Sequence, residues 1–405
     1  MSLRNPWAIA FLTGMGIFVT FVLRLNLSPV APVLAKEFHL TDWQLGLLLS
    51  GFLWVYTFLQ PLAGWATDRF GAKFSMLLGI AATSIITIMT GFANSFLALL
   101  SLRVALGITQ APNFVSGAKV TSSAWFNKDQ RARATSIWIS GGRLGPVFAF
   151  PIAAWLAVSY GWQSAFYVTG VLGLVWCIAW FFGFRNDPEA ERPSLKTVPQ
   201  LRVRDTLPVV LSPLGLGLAV ASFGQGYVAY YLNLWLPTYL VRQQGFKILN
   251  AGIFSTLPLL AAVVTLVLVG GFLSDYLVKR GAAPVGLRCK LFTVGMTLAA
   301  VMLLATAYAP DPYTALFALC LAGAALGFST PSLWVALVEA TPKEFTGTMS
   351  GVQNFGGNIA GIVVAVLTGY ILDATKSFFF ALLAGSAAAL LGAIAATLFV
   401  KPKQT

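Results

Sequence analysis

Four basic residues, Arg24, Arg103, Lys119 and Arg143, fall inside long apolar runs of a 405-residue chain. Each would cost roughly 2.5–3.5 kcal/mol on insertion scales if it faced lipid at mid-depth, so each needs compensation. The 13 carboxylates all read as loop or helix-end residues, with Glu339 and Asp275 near the inner face. A basic interior without acidic partners favours an anionic ligand that supplies the missing counter-charge. Arg24, within Val22-Leu-Arg24-Leu-Asn26-Leu27, is the leading candidate; the alternative is an arginine snorkelling toward the outer headgroups. Arg143 follows Ser140, Gly141 and Gly142, which leave room for a guanidinium or a ligand. It lies too deep for easy snorkelling, so its alternative is pairing with carbonyls or polar side chains of a neighbouring helix. Lys119, close to a helix end, reads first as a snorkelling residue.

Helical spacing gathers neutral polar groups beside these charges. Arg103, Gly107, Gln110, Phe114 and Gly117 fall at i, i+4, i+7, i+11 and i+14, on one face. Ser350, Gln353, Asn354, Gly357, Asn358 and Gly361 make a second stripe at i, i+3, i+4, i+7, i+8 and i+11. Side-chain amides supply donors and acceptors suited to the hydroxyls of a polar substrate; helix–helix hydrogen bonding beside small residues is the other use of such a stripe. Tyr227 and Tyr231, one turn apart, lead to Trp235, an aromatic row that serves packing as readily as binding. Ser332 and Trp334 are weaker candidates. The single histidine, His39, and the three cysteines, Cys177, Cys289 and Cys320, assemble neither a metal centre nor a disulfide framework. No Ser/His/Asp set or phosphate loop is present. The chemistry is binding, with no cofactor and no catalytic residue expected.

The elements that must hold these groups are membrane helices. The chain is 58% hydrophobic and 10% charged, with a mean hydropathy of +0.79, whereas a soluble domain carries roughly 25% charge. Segments of about 20 apolar residues predict twelve spans, near 7–34, 43–66, 74–93, 96–120, 131–158, 163–184, 208–241, 251–275, 288–309, 313–340, 346–371 and 377–400. Period-2 alternation is absent, so an all-α integral membrane fold is expected and not a barrel. The first segment lacks a charged leader and a small-residue cleavage site and reads as a retained helix. With the N-terminus inside, 18 Lys/Arg fall in inner loops and tails and four (Lys36, Arg242, Lys247, Lys376) outside. That asymmetry places both termini in the cytoplasm of an inner-membrane protein. It also accounts for the net charge of +13 without nucleic acid.

The polar stretch 186–207 separates an N-terminal six-helix bundle, 1–185, from a C-terminal one, 208–405. Gly64-x-x-x-Asp68-Arg69-x-Gly71-x-Lys73 returns in weakened form as Gly271-Phe-Leu-Ser-Asp275-Tyr-Leu-Val-Lys279-Arg280, 207 residues later. Ser140-Gly141 returns as Ser350-Gly351. Two repeats with a site at their interface are a transporter plan. The first element resembles the inner-loop signature of the major facilitator superfamily. Gln110-Ala-Pro-Asn-Phe, Trp125-Phe126, Arg131-Ala, Ser140-Gly141, Gly161-Trp162, Trp235-Leu-Pro-x-Tyr-Leu240 and Gly347-Thr-x-Ser-Gly-x-x-Asn354-x-x-Gly-Asn358 are similar, in order and spacing, to its anion:cation symporter family, which includes sugar-acid carriers.

That resemblance implies that Arg24 binds a substrate carboxylate, that Tyr56 in Trp54-Val-Tyr56 hydrogen-bonds it, and that Asn354 contacts the ligand. Arg103 corresponds to an arginine linked to coupling or gating, a structural hydrogen bond to backbone carbonyls being its equal alternative, and Asp68, Arg69, Lys73 and Asp275 to an inner gate. Arg143 is a departure, since a basic residue is not usual there. Two further departures matter more. The family has an acidic residue just before the first arginine, where this chain has Leu23, and a glutamate where it has Gln110. Proton symport at those positions is therefore not expected. Facilitated diffusion or anion exchange follows most simply, sodium coupling or a proton carried on the substrate itself being the alternatives, and Gly141-x-x-x-Gly145-Pro146 faintly resembles an antiporter pattern. The expectation is a monomeric carrier of small organic anions, hydroxylated carboxylates or monocarboxylates, in contact with membrane lipid. A drug or cation exporter would want a buried carboxylate, and a membrane enzyme or sensor a reactive constellation or an extra domain.

Overall fold

The computed structural model describes residues 5–122, 131–184, 203–266, 269, 276, 280, 284–342 and 345–400, with the backbone alone at 61, 121–122, 131–133, 203–206 and 284. Asp275, its weakened repeat apart from Tyr276 and Arg280, Trp125-Phe126 and most of the 186–207 stretch lie outside the described residues. Among those described, the long elements are helices: α1 (Pro6–Leu25), α2 (Leu27–Glu37), α3 (Asp42–Phe70), α4 (Ala72–Thr90), α5 (Phe96–Ser122), α6 (Arg131–Tyr160), α7 (Trp162–Gly183), α8 (Val203–Val210), α9 (Pro213–Leu234), α10 (Leu236–Arg242), α11 (Ile248–Phe254), α12 (Thr256–Thr265), α13 (Pro284–Ala307), α14 (Pro312–Ala340), α15 (Thr346–Thr375) and α16 (Phe379–Phe399).

Local sequence accounts for where they start and break. Asn5 accepts from the Trp7 amide with Pro6 at the first helical position, Thr41 and Gln44 form a reciprocal capping box, and Ser212 and Asp311 cap α9 and α14. Each satisfies amides that a helix N-terminus leaves free. The first span breaks at Asn26, between α1 and α2. Pro29 has no N–H for the Leu25 carbonyl one turn back, and Pro32 repeats the defect. Pro237 does the same beyond Trp235, dividing α9 from α10.

Nine helical segments among the described residues are long and apolar enough to cross a bilayer, or ten if the bent Asp42–Phe70 counts as one span. Twelve were expected, so the count is not reproduced. Helices α5 and α9, of 27 and 22 residues, are outside that set although both have the length to span. Both carry Gly, Ser and Gln along with their apolar residues, and both contribute to the clusters described below.

The chain forms two compact units, one of Met1–Lys196 with Lys247–Thr256 and the other of Thr197–Phe246 with Leu257–Thr405. In the first, α1 packs on α6, α5 on α3 and α4, α7 on α4, and the short α11 on α6. In the second, α9 packs on α15 and α16, and α13 on α14 and α16. Small residues set the closest approaches. A Cβ on Gly141 would collide with the Gly14 carbonyl of α1, and one on Gly356 with the Ala219 carbonyl of α9. The core of the first unit joins Ile9, Ile17, Leu23, Met76, Ile80, Trp138, Trp176 and Trp180. The indoles of Trp176 and Trp180 donate to the carbonyls of Leu12 and Lys73, both at 3.0 Å.

Candidate functional site

Arg24 occupies the last turn of α1, just before the break that Pro29 enforces. Its Cζ lies 4.8 Å from the Phe21 ring, 5.0 Å from Phe52 and 4.5 Å from Tyr56, so three aromatic faces surround the cation. Its Nε donates to Gln110 Oε1 at 2.7 Å. Gln110 Nε2 in turn donates to the Thr20 carbonyl at 3.2 Å, which fixes which way the amide points. Asn113 donates to the Thr20 hydroxyl at 3.2 Å, and that hydroxyl donates to the Gly16 carbonyl. Arg24 is 7% exposed. Among the described residues no carboxylate pairs with it, and Nε makes its only side-chain hydrogen bond. The fork of terminal nitrogens, the part of arginine that meets a carboxylate bidentately, is uncommitted.

Arg103, on α5, is buried to 3% exposure and does not join that fork. Its Nη1 donates to the Arg24 carbonyl at 3.0 Å and its Nη2 to Asn26 Oδ1 at 3.4 Å. Asn26 Nδ2 continues to the Thr169 hydroxyl at 2.9 Å. The carbonyl and the amide supply dipoles to the two terminal nitrogens while Nε is left unmet, and these contacts tie the guanidinium to the α1–α2 break. Leu23, where the family has an acid, is fully buried in the apolar core.

Several candidates sit differently from what residue type and spacing suggest. Gln110 is fully buried, with both amide atoms committed, so it orients Arg24 and is not presented to a ligand. Tyr56 lies under the guanidinium through its ring, and its hydroxyl has no hydrogen-bond partner among the described residues. Lys119 does not snorkel alone: its Nζ donates to the Thr67 carbonyl at 2.8 Å and lies 3.2 Å from Asp68 Oδ1, whose side chain is 81% exposed. Arg69 stacks over Trp65 and Lys73 over Phe181. Arg288 is buried in the second turn of α13 and paired with Glu339 at 3.6 Å. Arg143 is exposed on α6, without a hydrogen bond or ion pair among the described residues.

The second unit holds a neutral cluster. Asn354 is exposed on α15, and Gly347 and Gly351 before it stand in open space. The Ser350 hydroxyl turns back to the Thr346 carbonyl at 2.8 Å. Asn358 Oδ1 accepts from the Tyr230 hydroxyl at 3.0 Å, and Gln225 donates to Thr330 at 3.3 Å. Tyr227 and Tyr231 are buried in the core, as are Trp235 and Ser332, whereas Trp334 is exposed. Sequence reasoning missed Tyr230, Gln225, Phe21, Phe52, Asn113 and Asn26. The one available signal was that Phe52 and Tyr56 lie one turn apart on α3, in position to share a ligand.

A family model for the Major Facilitator Superfamily matches residues 7–365. The chain belongs to that superfamily. It is therefore a membrane transport protein and not an enzyme. Relatives include a D-galactonate transporter of Escherichia coli O6:H1, 29% identical over 99% of this chain and 97% of its own length. A hexuronate transporter of Bacillus subtilis is 28% identical over 97% and 93%. A probable sulfoacetate transporter of Cupriavidus necator is 29% identical over 96% and 92%. Among solved structures, a D-xylose–proton symporter superposes with a TM-score of 0.78 at 17% identity, covering 98% of both chains. An inward-facing bacterial homologue of the lysosomal transporter Spinster gives 0.76 at 18%, covering 99% of this chain and 95% of its own. At that identity these two show the fold alone.

Proposed function

We propose that this chain carries small hydroxylated organic anions, of the sugar-acid or related sulfonate class, across a bacterial inner membrane by alternating access, with both termini in the cytoplasm and 186–207 joining two halves. The observation that carries the reading is Arg24: a desolvated guanidinium, walled by three aromatic rings, anchored through Nε and free at its terminal nitrogens. A ligand carboxylate or sulfonate there gains charge-assisted bonds in a low-dielectric setting and removes the cost of an unpaired buried cation. Arg143, Asn354, Ser350 and Asn358 complete the ligand set, the amides serving hydroxyls, while Tyr56 and Gln110 shape the Arg24 pocket and Tyr227 supports from the core. Arg103, Asp68, Arg69, Lys73 and Asp275 serve positioning and gating. The kinship with galactonate, hexuronate and sulfoacetate transporters supports the same class.

Coupling differs from proton symport. Gln110 cannot titrate, Leu23 is sealed in the core, and no carboxylate or histidine touches Arg24 among the described residues. A symporter needs a group whose proton occupancy is linked to substrate binding, so exchange, facilitated diffusion or sodium coupling is the working mechanism. The test is uptake of labelled galactonate, glucuronate and sulfoacetate into liposomes holding the purified protein, with and without internal anion. Saturable uptake accelerated by internal anion supports the reading. Uptake concentrated by an imposed pH gradient alone, with potential clamped, overturns the coupling assignment, and movement of none of these anions overturns the substrate class.

A further inference from the structure

The substrate can be defined more closely by its charge, an inference that rests on the anion-carrier reading above. The names of the relatives leave charge open, since galactonate and hexuronate are monoanions and sulfoacetate is a dianion. Among the described residues, Arg24 is not alone as an intramembrane arginine without an anionic partner. Arg143, like Arg24, has no carboxylate partner among the described residues, and it makes no hydrogen bond there either.

Its place on α6 is at the edge of the helix's main exposed apolar stripe, which is Leu144, Phe148, Ile152 and Trp155, with Ile139 exposed one turn before it. Arg143 stands at i with Phe150 at i+7 and Ala154 at i+11, one face of a helix. Two turns on, that face is covered: a Cβ on Gly252 of α11 would stand 2.5 Å from Ala154 Cβ and 3.0 Å from the Phe150 carbonyl. Arg143 therefore lies where this covered face opens, below the α11 contact. The same turn of α6 touches the Arg24 cage from the side. A Cβ on Gly142 would meet Phe21 Cε2 at 3.0 Å, and one on Gly145 would meet Phe21 Cβ at 2.5 Å. Phe21 is the ring on which Arg24 rests at 4.8 Å. The backbone that carries Arg143 is thus one residue from the Arg24 pocket wall.

We propose that the two arginines take the two ends of a dianion, a short dicarboxylate or sulfocarboxylate, with Arg24 receiving one anionic group through its free fork and Arg143 the other. Arg103 is set apart from this balance, because both of its terminal nitrogens are already donated to the Arg24 carbonyl and Asn26. A monoanion leaves Arg143 unmatched, whereas a dianion neutralises both.

The experiment compares matched ligand pairs on the purified full-length protein at pH 7.5 by calorimetry: glucarate with gluconate, sulfoacetate with acetate, and succinate with its monomethyl ester. At least one dianion binds about tenfold or more tightly than its monoanion, the worth of one charge-assisted contact. In Arg143→Gln that preference collapses to within about threefold, while Arg143→Lys, which keeps the charge, retains much of it. Wild-type protein that binds each monoanion as tightly as its dianion overturns the proposal and leaves the anion reading standing. An Arg143→Gln protein that weakens both members of a pair equally also overturns it. Binding of no ligand in any pair removes the proposal together with the reading beneath it. If Arg143→Gln fails to fold, the wild-type pairs and Arg143→Lys decide the matter.

Discussion

The interiors of the two units solve different problems with similar helices. The first is charged and tightly networked: Arg24, Gln110, Thr20, Asn113, Arg103, Asn26 and Thr169 form one connected set. The polar stripe of the second is neutral. Unmet buried atoms occur in both, Arg103 Nε and Asn113 Oδ1 in the first and the Gln353 amide and Ser332 hydroxyl in the second, where Asn354 also stands exposed. An unmet buried polar group costs roughly 1–3 kcal/mol, so the Gln353 amide, unmet at both of its polar atoms, stands to gain from hydroxyl contacts. The first unit stands to gain from charge. The paired helix ends differ in the same sense: an exposed Asp68 answers Lys119 in one unit, and a buried Arg288 answers Glu339 in the other. The division teaches that affinity for an anion and recognition of its hydroxyls can be carried by separate repeats.

Removing the charge from the first unit should have the largest effect. Arg24→Ala is expected to lower anion affinity tenfold or more, since a charge-assisted contact is worth about 1.5–3 kcal/mol. Calorimetry on folded, inserted protein measures it, and wild-type affinity would erase the contrast between the units. Gln110→Glu sharpens the same point. A carboxylate where Gln110 Oε1 now accepts from Arg24 would cancel the guanidinium charge and weaken binding about tenfold at pH 7.5. Binding should recover as the pH falls, because protonating the new carboxyl frees Arg24. Wild-type binding of a sulfonate should stay flat between about pH 5 and 8, the window in which histidine titrates. A wild-type slope there would reveal a titrating group in contact with the site.

In the neutral unit the effect should be smaller and selective. Asn354→Ala is expected to cost about 1 kcal/mol toward hydroxylated anions and nothing toward an anion without hydroxyls. Equal losses for both would place Asn354 in packing. Asp68→Asn should slow transport by more than it alters equilibrium binding, because the residue lies at the end of α3 away from Arg24. The largely exposed pair itself contributes little to stability, so an unchanged rate at normal expression would remove it from the gate. The smallest effect belongs to Asp311. The Thr314 side chain, with the Thr314 and Tyr313 amides, holds its carboxyl below the ordinary value. A depressed folded value gives stability that is present above the unfolded value near 3.9 and is lost as the pH falls through the folded one. The Tm difference between wild type and Asp311→Ala should therefore shrink below about pH 4. A difference that persists in acid would assign the cap to another group.

Much of the molecule is legible in the amino-acid sequence alone. Hydropathy, composition and the Gly64–Lys73 signature are local properties, so the helical membrane fold and its superfamily follow from them. The intramembrane rarity of basic residues singles out Arg24, Arg103, Lys119 and Arg143 but does not rank them. Residue type by itself states that Leu23 and Gln110 cannot carry a proton. Internal repetition is a poorer guide. Ser140-Gly141 and Ser350-Gly351 echo one another, yet Gly141 is wedged against α1 while Gly351 stands in open space, and Gly356 makes the close approach in the second unit.

Only the tertiary structure decided which neighbour each polar group meets. Helical periodicity assigns a side chain to a face but does not name the helix opposite. The Gln110 amide therefore reads as a ligand group in the sequence, whereas in the fold it is spent on Arg24, 86 positions earlier in the chain. Arg103 ends on a backbone carbonyl, one of the two fates the sequence allowed, but that the carbonyl is the one of Arg24 no sequence pattern records. Tyr230 reaches Asn358 while its neighbour Tyr231 turns into the core, because successive residues on a helix point about 100° apart and the close packing of α9 on α15 selects between them. The sequence determined that the buried charge must be answered. The fold decided that Arg24 is held by one amide and left open at its fork.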